Sequence, residues 1–355
     1  MAEKLRIGVI GCGNMGRGVH IEAYKRMKNI EVVSVCDVLR DRAELASSMV
    51  GGNAQVFESY TDLINAGGID AVDICTPNYL HSVIAVEALN AGLHVFCEKP
   101  DAVSVAEAEK MKAAAEASGK VLMVMRNNRY HGVSSYLKKY IEAGKMGEIY
   151  TARCGWIRRR GIPGKGGWFT TKAQSGGGPL IDLGVHMIDL TMWLMGNPKP
   201  VAVTGCTYSK FSSTNIEDSV HSKFGDKKED GTFDVEDLAM GFIRFDNGAT
   251  LQVECSWASN IEQSHRFFEL RGTKGGTSWR NGEKLRINTE DDQGLLVIEP
   301  TVPGTRQIHE ENLRHFADVL LNGAEPMFVP EQGLNMIKIL EALYKSAECG
   351  HEIIL

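Results

Sequence analysis

The stretch LRIGVIGCGNMG, residues 5–16, decides the fold of the first part of this chain. A short apolar run leads into three glycines spaced G-x-G-x-x-G, and a helical pattern follows. Glycine permits the tight strand-to-helix turn and lets the backbone approach a pyrophosphate, whose charge then lies near helix N–H groups. The predicted dinucleotide contacts in this turn are Gly11, Gly13, Asn14, Met15 and Gly16.

An acidic residue is expected about 20 residues after such a turn, and Asp37 ends the second apolar run at that distance. Its carboxylate can accept hydrogen bonds from the ribose hydroxyls of NAD and would repel a 2′-phosphate, so NAD is favoured over NADP. Arg40 keeps NADP open as the less favoured cofactor, because a nearby arginine can accommodate that phosphate. The alternative is an ordinary surface turn in which Asp37 caps a helix.

Outward from this turn, short apolar runs alternate with helical patterns over the first third of the chain. The predicted strands are LRIGVIG, EVVSVCD, AVDICTP, HVFCEKP and KVLMVM. Ser104 and Glu107 form a capping box at the start of one helix, and Gly119 ends it. This pattern predicts an α/β fold with a doubly wound parallel sheet, which we assign to an NAD-binding domain at 1–127.

The pattern changes after about residue 128, where a helix near 133–143 precedes long strand-like runs. Asn247-Gly248 is a hairpin turn signal between two of these runs. We therefore predict a C-terminal α+β domain at 128–355 with a large, mainly antiparallel open sheet, for substrate binding and oligomerisation. Helices are expected at about 309–322 and 331–348, and the second is a candidate to pack back on the NAD-binding domain.

Composition excludes several other classes of protein. The 355 residues, 43% of them hydrophobic, exceed the roughly 250 to 300 residues at which a single core stops growing, so two domains are expected. The net charge of −6 and the lack of any basic run longer than Arg158-Arg159-Arg160 argue against a nucleic-acid partner. Eight scattered cysteines without metal-ligand spacing predict no metal site and a reducing compartment. Without a leader-like or membrane-spanning segment, we expect a cytoplasmic protein with no membrane partner.

Polar residues follow two of the predicted strands at the edge where open α/β sheets bind ligands. Thr76, Pro77 and Asn78 form a TPN turn, although a plain strand-end turn is the alternative. Lys99, in CEKP, is expected to point towards the nicotinamide, whereas most lysines are solvated surface groups. From this region we assign six residues to the cofactor site: Thr76, Pro77, Asn78, His81, Glu98 and Lys99.

A second chemical motif is GGGPLIDLGVHMIDL, residues 176–190. In an α-helix Asp182 and His186, at i and i+4, share one face. The preceding glycines would let this helix start close to the cofactor. The alternative is a buried histidine and acid that satisfy each other. We treat Asp189 either as structural or as a residue that supports the site without touching the substrate.

Together the GxGxxG, TPN and EKP motifs and the GGGxLxDxGxHxxD motif resemble the Gfo/Idh/MocA oxidoreductase family over nearly the whole chain. The resemblance implies a Rossmann domain, followed by a domain whose open sheet forms oligomer interfaces, and a homodimer or homotetramer. It makes Lys99 the lysine of the EKP motif, and Asp182 and His186 the acid and histidine of the second motif.

The resemblance implies oxidation of a secondary ring hydroxyl of a sugar, glycoside or cyclitol by hydride transfer to nicotinamide. His186 would take the hydroxyl proton, Lys99 would polarise the oxygen and Asp182 would orient the substrate; alternatively Lys99 is the base. Two further classes stay open: a glycoside-processing enzyme that recycles tightly bound NAD, and a non-catalytic NAD-binding regulator. Weaker candidates for substrate contact are Arg126, Asn128, Arg129, Arg158 and Trp168, where ion pairs or oligomer contacts are the alternatives.

Overall fold

The computed structural model describes residues 4–302, 304 and 307–355, so the first three residues of the predicted NAD-binding domain lie outside it. Contacts divide the described chain into two compact units. The first contains the described residues up to Asn127 together with Gln307–Ile337. The second contains the described residues of the range 128–306 together with Lys338–Leu355. By this division 307–337 lie in the same unit as the glycine-rich turn, whereas the predicted boundaries place them in the second domain.

The first unit is built on a parallel sheet whose six described strands have the order β3-β2-β1-β4-β5-β6. Its strands are β1 Leu5–Ile10, β2 Ile30–Cys36, β3 Gln55–Phe57, β4 Ala71–Ile74, β5 His94–Cys97 and β6 Leu122–Val124. Its first helices are α1 Glu22–Tyr24, which continues a π-helical segment Gly16–Ile21, α2 Arg40–Met49, α3 Tyr60–Ala66, α4 His81–Asn90 and α5 Val105–Ser118. The order reverses at β1 and β4, which is the arrangement of a doubly wound sheet. The predicted fold class of this region is confirmed.

Local sequence explains these elements. Strands β1 and β4 are mostly buried because helices cover both faces of a parallel sheet, and Ile7 and Val9 are fully buried. At the start of α5 the Ser104 side chain accepts a hydrogen bond from the Glu107 N–H. Gly119 ends this helix in the left-handed region, with φ of 64°, as predicted.

The second unit contains a mixed, mostly antiparallel sheet of nine described strands, ordered β14-β13-β12-β11-β7-β10-β9-β8-β15. The strands are β7 Ile149–Ile157, β8 Pro200–Tyr208, β9 Leu238–Phe245, β10 Thr250–Ser256, β11 His265–Gly272, β12 Gly276–Arg280, β13 Arg286–Asp291, β14 Gly294–Ile298 and β15 Ile353–Ile354. The helices are α6 Gly132–Glu142, α7 Lys172–Ser175 and α8 Val185–Leu194, which continues a π-helical turn Leu180–Gly184. Neighbouring strands β7 and β10 of this sheet run parallel to each other. The predicted open sheet of the C-terminal region is confirmed.

The hairpin between β9 and β10 turns at the predicted position. Gly248 has φ of 82°, and its N–H donates to the Phe245 carbonyl. One face of the sheet packs on α8, and on this face Cys154, Phe268 and Leu270 are buried. The motif that contains Asp182 and His186 therefore lies against the middle of the sheet.

Two helices close the chain, α9 Ile308–Asn322 and α10 Pro330–Cys349, close to the predicted bounds. In the first unit α9 packs on α1, and Arg26 Nε donates to Glu310 Oε2 at 2.7 Å. Among the described residues, no helix combines the length and the apolar character needed to cross a bilayer.

Candidate active site

In the first unit, glycine is required at two positions of the GxGxxG turn. Gly11 has φ of 95°, and a Cβ there would lie 2.6 Å from the Cys75 carbonyl group. A Cβ on Gly16 would lie 2.0 Å from the Gly11 carbonyl oxygen. At Gly13 a Cβ would meet no described atom within 4 Å, so this residue leaves room above the turn. The turn fits the backbone approach that a pyrophosphate needs.

The neighbouring carboxylate is held in place by the turn itself. Asp37 Oδ2 accepts a hydrogen bond from the Cys12 N–H at 2.8 Å, and Oδ1 accepts one from the Leu39 N–H at 2.9 Å. Arg40 is paired with Glu44 and Glu58, at 2.8 and 3.0 Å. Because two carboxylates already engage Arg40, the site suits the ribose hydroxyls of NAD better than a 2′-phosphate.

The ends of β4 and β5 are joined by the buried imidazole of His81. Its Nδ1 lies 2.7 Å from the Pro100 carbonyl oxygen, and its Nε2 lies 2.9 Å from that of Thr76. This ring therefore holds the TPN turn, which includes Pro77 and the buried Asn78, against the EKP segment. Its contacts make His81 a support for the predicted cofactor-binding residues.

Below this edge lies a buried charge cluster that the sequence analysis did not find. His20 is fully buried, with Nδ1 2.8 Å from Asp73 Oδ2 and Nε2 2.9 Å from Glu98 Oε1. The Tyr24 hydroxyl donates to the same Asp73 oxygen at 2.9 Å. Glu98 Oε2 accepts a hydrogen bond from the Lys99 N–H at 3.1 Å, so the cluster reaches the backbone of the proposed catalytic lysine.

Opposite charges control the protonation of this cluster. Burial alone would lower the pKa of His20, but Asp73 and the neighbouring groups raise it well above the usual value. Burial alone would raise the pKa of Glu98, but His20, His309 and Lys99 lower it to about 2. His20 is thus an imidazolium between two carboxylates. The signal available in the sequence was Asp73 inside the apolar strand AVDI, because a buried acid requires a partner.

Three of these groups, His20, Asp73 and Cys75, bring potential metal ligands within 4.8 Å of one another. His20 Nδ1 already has Asp73 as its hydrogen-bond partner, and burial raises the pKa of the Cys75 thiol. Metal binding needs a deprotonated thiol, so this set is better suited to a hydrogen-bonded network than to a metal.

In the second unit, the GGG segment starts the motif helix against another part of the same unit. A Cβ on Gly177 would lie 2.0 Å from Tyr344 Oη, and one on Gly178 would lie 2.0 Å from the Glu236 carbonyl oxygen. The Glu236 carboxylate accepts hydrogen bonds from the Gly178 and Leu180 N–H groups at 2.9 and 3.1 Å. These glycines therefore allow close packing on Glu236 and Tyr344, a reason that the sequence analysis did not identify.

Asp182 and His186 are the partly accessible polar positions in a stretch that is otherwise buried from Leu180 to Leu194 in the described chain. The i, i+4 spacing assumed a regular α-helix, but Asp182 lies in the π-helical turn and His186 in the first turn of α8. Trp257 Nε1 donates to Asp182 Oδ2 at 2.9 Å. The His186 ring lies 6.0 Å from the Trp156 ring.

Arg126 and Arg129 are committed to buried ion pairs, one within each unit. Arg129 donates to both Asp189 oxygens, at 2.9 and 2.6 Å, and is 1% exposed. Arg126 pairs with Asp101 and stacks on Phe328. These contacts favour the ion-pair interpretation over substrate binding.

The remaining weak candidates have different surroundings. Asn128 is buried beside Met187 and lines a small cavity. Trp168 is half-buried and stacks on Phe169 at 3.9 Å. Arg158 is 4% exposed, donates to the Gly161 carbonyl at 2.9 Å, and lies over Trp156. Burial lowers its pKa, and the negative charge of Asp182 opposes that shift.

A cleft of about 660 Å³ opens beside these residues in the second unit. Its walls include Trp156, Arg158, Arg159, Asp218, His265 and Arg266. The volume falls within the range of small-molecule sites, roughly 300 to 1,000 Å³. Trp156 and Arg266 had not been assigned to the site, because each lies in an ordinary strand pattern.

Comparison with known proteins identifies relatives of this chain. Residues 5–126 match the family described as "Oxidoreductase family, NAD-binding Rossmann fold", and residues 135–278 match the "GFO/IDH/MocA C-terminal domain". The chain is 33% identical to D-glucoside 3-dehydrogenase of Escherichia coli (strain K12), over 99% of this chain and 98% of that protein. It is 30% identical to levoglucosan dehydrogenase of Pseudarthrobacter phenanthrenivorans, over 82% and 78%.

A solved structure of levoglucosan dehydrogenase in complex with NADH and levoglucosan is similar to this fold over its full length. The TM-score is 0.85 at 26% identity, covering 99% of each chain.

Proposed function

Because this chain belongs to the Gfo/Idh/MocA oxidoreductase family, we propose that it oxidises the C3 hydroxyl of a D-glucoside to a ketone. It is an NAD-dependent dehydrogenase that acts on a secondary ring hydroxyl of a sugar, glycoside or cyclitol. The glucoside and its C3 position are suggested by the 33% identity to a D-glucoside 3-dehydrogenase over nearly all of both chains.

The observation that carries the chemistry is the local setting of Asp182 and His186. They are accessible polar groups on an otherwise buried helix, so a substrate hydroxyl can reach them. We propose that His186 accepts the hydroxyl proton, since a histidine ordinarily titrates near neutrality. Asp182, held by Trp257, orients the sugar through hydrogen bonds.

NAD, when bound, supplies the hydride acceptor. Its proposed binding residues are Gly11, Gly13, Asn14, Met15, Gly16, Asp37, Thr76, Pro77 and Asn78. His81 and Glu98 act as positioning residues, through Thr76 and through the Lys99 backbone. Lys99 polarises the oxygen of the reacting hydroxyl, and in the alternative assignment it is the base.

The first experiment follows absorbance at 340 nm when the purified protein is mixed with NAD and methyl glucosides, free sugars or inositols. We expect NADH to form with a glucoside, and NMR of the product to place the ketone at C3. A ketone at another carbon would contradict the proposed position. A silent panel, with NAD retained by the purified protein, would instead favour the class that recycles bound NAD.

Two variants test the residue roles. Lys99→Ala and His186→Asn should each lower kcat by about 10²- to 10⁴-fold, the range for losing an acid–base group. The NAD dissociation constant, measured by titration calorimetry, should stay within about threefold of the wild-type value if these groups act in the chemical step. Lys28→Ala, at an exposed lysine, is the matched control. Full turnover by either variant would remove that residue from the chemistry.

We also propose that the open face of the second sheet joins copies of the chain into a homodimer or homotetramer. On β9, Ala239 and Ile243 are buried, whereas the alternate side chains Met240, Phe242 and Arg244 are at least partly exposed. Light scattering after size exclusion should show a dimer or tetramer, and Met240→Arg should shift it to monomer. A monomeric wild-type protein would contradict this interface.

We also propose that this protein is located in the cytoplasm. All eight cysteines lie in the described chain, and each is a free thiol in the structure. Free thiols are typical of proteins from reducing compartments.

A further inference from the structure

Arg266 holds an unusual position on the sheet of the second unit. It lies in β11, directly opposite Trp156 of β7. On the other side of β11, strand β12 carries Trp279, which lies opposite Phe268 of β11. The guanidinium carbon lies 5.2 Å from the Trp156 ring centroid and 5.5 Å from that of Trp279. Two indoles therefore fix the orientation of this cation.

Arg266 also lacks a counter-charge. In the part of the chain that the structure describes, no carboxylate pairs with it and its side chain donates no hydrogen bond to protein. Burial lowers its pKa, yet an arginine stays protonated in proteins. By contrast, Arg126, Arg129 and Arg159 each pair with an aspartate. A half-buried guanidinium with free donors is a group arranged to meet an anion from outside the chain.

The charges around Arg266 also favour an anionic ligand. Arg158 also lies over Trp156, at 5.3 Å, so two cations line this wall of the 660 Å³ cleft. Arg159 is neutralised by its ion pair with Asp218. The other acid of the cleft, Glu262, is exposed and makes no ion pair in the described chain. The wall formed by Trp156, Arg158 and Arg266 therefore carries positive charge, and in the described chain only Arg158 has a nearby carboxylate, that of Asp182.

The cleft is also close to the proposed chemistry. Trp156 contacts both Arg266 and the ring of His186, whose centroid is 6.0 Å away. Arg158 lies near enough to Asp182 for that carboxylate to affect its pKa. A sugar bound at Asp182 and His186 could thus extend a substituent along Trp156.

We propose that Arg266, oriented by Trp156 and Trp279, is an anion-recognition residue of the substrate cleft. The physiological substrate is then a sugar or glycoside that carries a carboxylate or a phosphate away from the oxidised carbon. The planar guanidinium can donate two parallel hydrogen bonds to either group. This inference rests on the proposed function, because it assigns the substrate class of the same site.

The test compares kcat/KM for a matched set of substrates: methyl glucoside, methyl glucuronide and glucose 6-phosphate. Wild-type protein should prefer at least one anionic member, and the preferred member distinguishes a carboxylate from a phosphate. Arg266→Gln should lower kcat/KM for that substrate by about 10- to 100-fold, mainly through KM, the range for losing a charged hydrogen bond. The value for methyl glucoside should change by less than about threefold, because a neutral sugar makes no such bond.

Two further variants separate recognition from folding. Arg266→Lys keeps the charge without the planar fork and should recover only part of the preference. Arg271→Gln removes an exposed arginine from the same strand and should leave all three substrates unaffected. Equal use of neutral and anionic sugars by wild-type protein, or an unchanged preference in Arg266→Gln, would overturn the proposal.

A measurement of anion binding distinguishes failure of the anion-site proposal from failure of the proposed dehydrogenase function. Titrating wild-type protein with methyl glucuronide or inorganic phosphate should change tryptophan fluorescence saturably, because two indoles flank Arg266. Arg266→Gln should abolish the response. Such a response in a protein that oxidises no sugar would support the anion site and refute the dehydrogenase proposal. No response in wild-type protein would refute the anion site alone.

Discussion

The buried imidazolium of His20 makes a sharp prediction about stability. His20→Asn removes the positive charge that lies 2.8 Å from Asp73 Oδ2 and 2.9 Å from Glu98 Oε1. At an effective dielectric constant of about 20, each such contact is worth about 6 kcal/mol before the cost of burying the charges. Removing one partner from a buried network typically costs about 3 to 5 kcal/mol. We expect the variant to lose this much unfolding free energy at pH 7, a large share of a typical total.

The pH dependence of the loss identifies its cause. The folded pKa of His20 is raised, so its contribution in wild-type protein is complete below pH about 6.5 and declines as pH rises further. The folded pKa of Glu98 is about 2, so its contribution is complete above the pKa of about 4.3 in the unfolded chain. Between these limits His20 and Glu98 give the wild-type protein no slope of stability with pH.

In the variant, burial without the imidazolium raises the pKa of Glu98, and this carboxylate binds a proton on folding. The unfolding free energy of the variant should therefore rise by up to about 1.4 kcal/mol per pH unit as pH falls from 6.5 to 5. Tyr24 and Cys75, which face Asp73, stay protonated over this range because burial raises the pKa of each. The deficit relative to wild type should shrink on acidification.

Urea unfolding followed by circular dichroism at pH 5, 6, 7 and 8 measures this effect. His351→Asn, an exposed histidine, is the control and should change stability by less than about 0.5 kcal/mol. A deficit for His20→Asn below about 1 kcal/mol at pH 7, or one that does not change between pH 7 and pH 5, would refute the charged network.

Two further predictions concern the cofactor site. Asp37→Ser should relax the preference for NAD over NADP, measured as the ratio of the kcat/KM values, because the carboxylate that repels a 2′-phosphate is gone; an unchanged ratio would contradict this role. Gly16→Ala should lower both NAD affinity and the melting temperature, at a cost of about 1 to 3 kcal/mol, because its Cβ would lie 2.0 Å from the Gly11 carbonyl oxygen. Gly18→Ala, whose Cβ meets no described atom within 4 Å, is the matched control and should be neutral or stabilising.

Local pattern was sufficient for much of this protein. The strand, the glycine-rich turn and the following helix lie within about 20 consecutive residues, and Gly16 is required by its contact with Gly11 in the same turn. Alternation of apolar runs predicted the parallel sheet, and Asn247-Gly248 predicted a hairpin, because both depend on short-range backbone preferences. The family resemblance rested on motifs of this kind.

Tertiary structure decided the features that depend on distant partners. Asp73 and Glu98 lie 53 and 78 positions after His20, and no local pattern indicates that one charge balances the other two. Asp182 and His186 were identified, but the π-helical turn that contains Asp182 and the Trp257 hydrogen bond were not. Trp156 and Arg266 meet only because β7 and β11 pair in one register. Short-range preferences act within a few residues, whereas burial and charge pairing are satisfied only after the whole chain has packed.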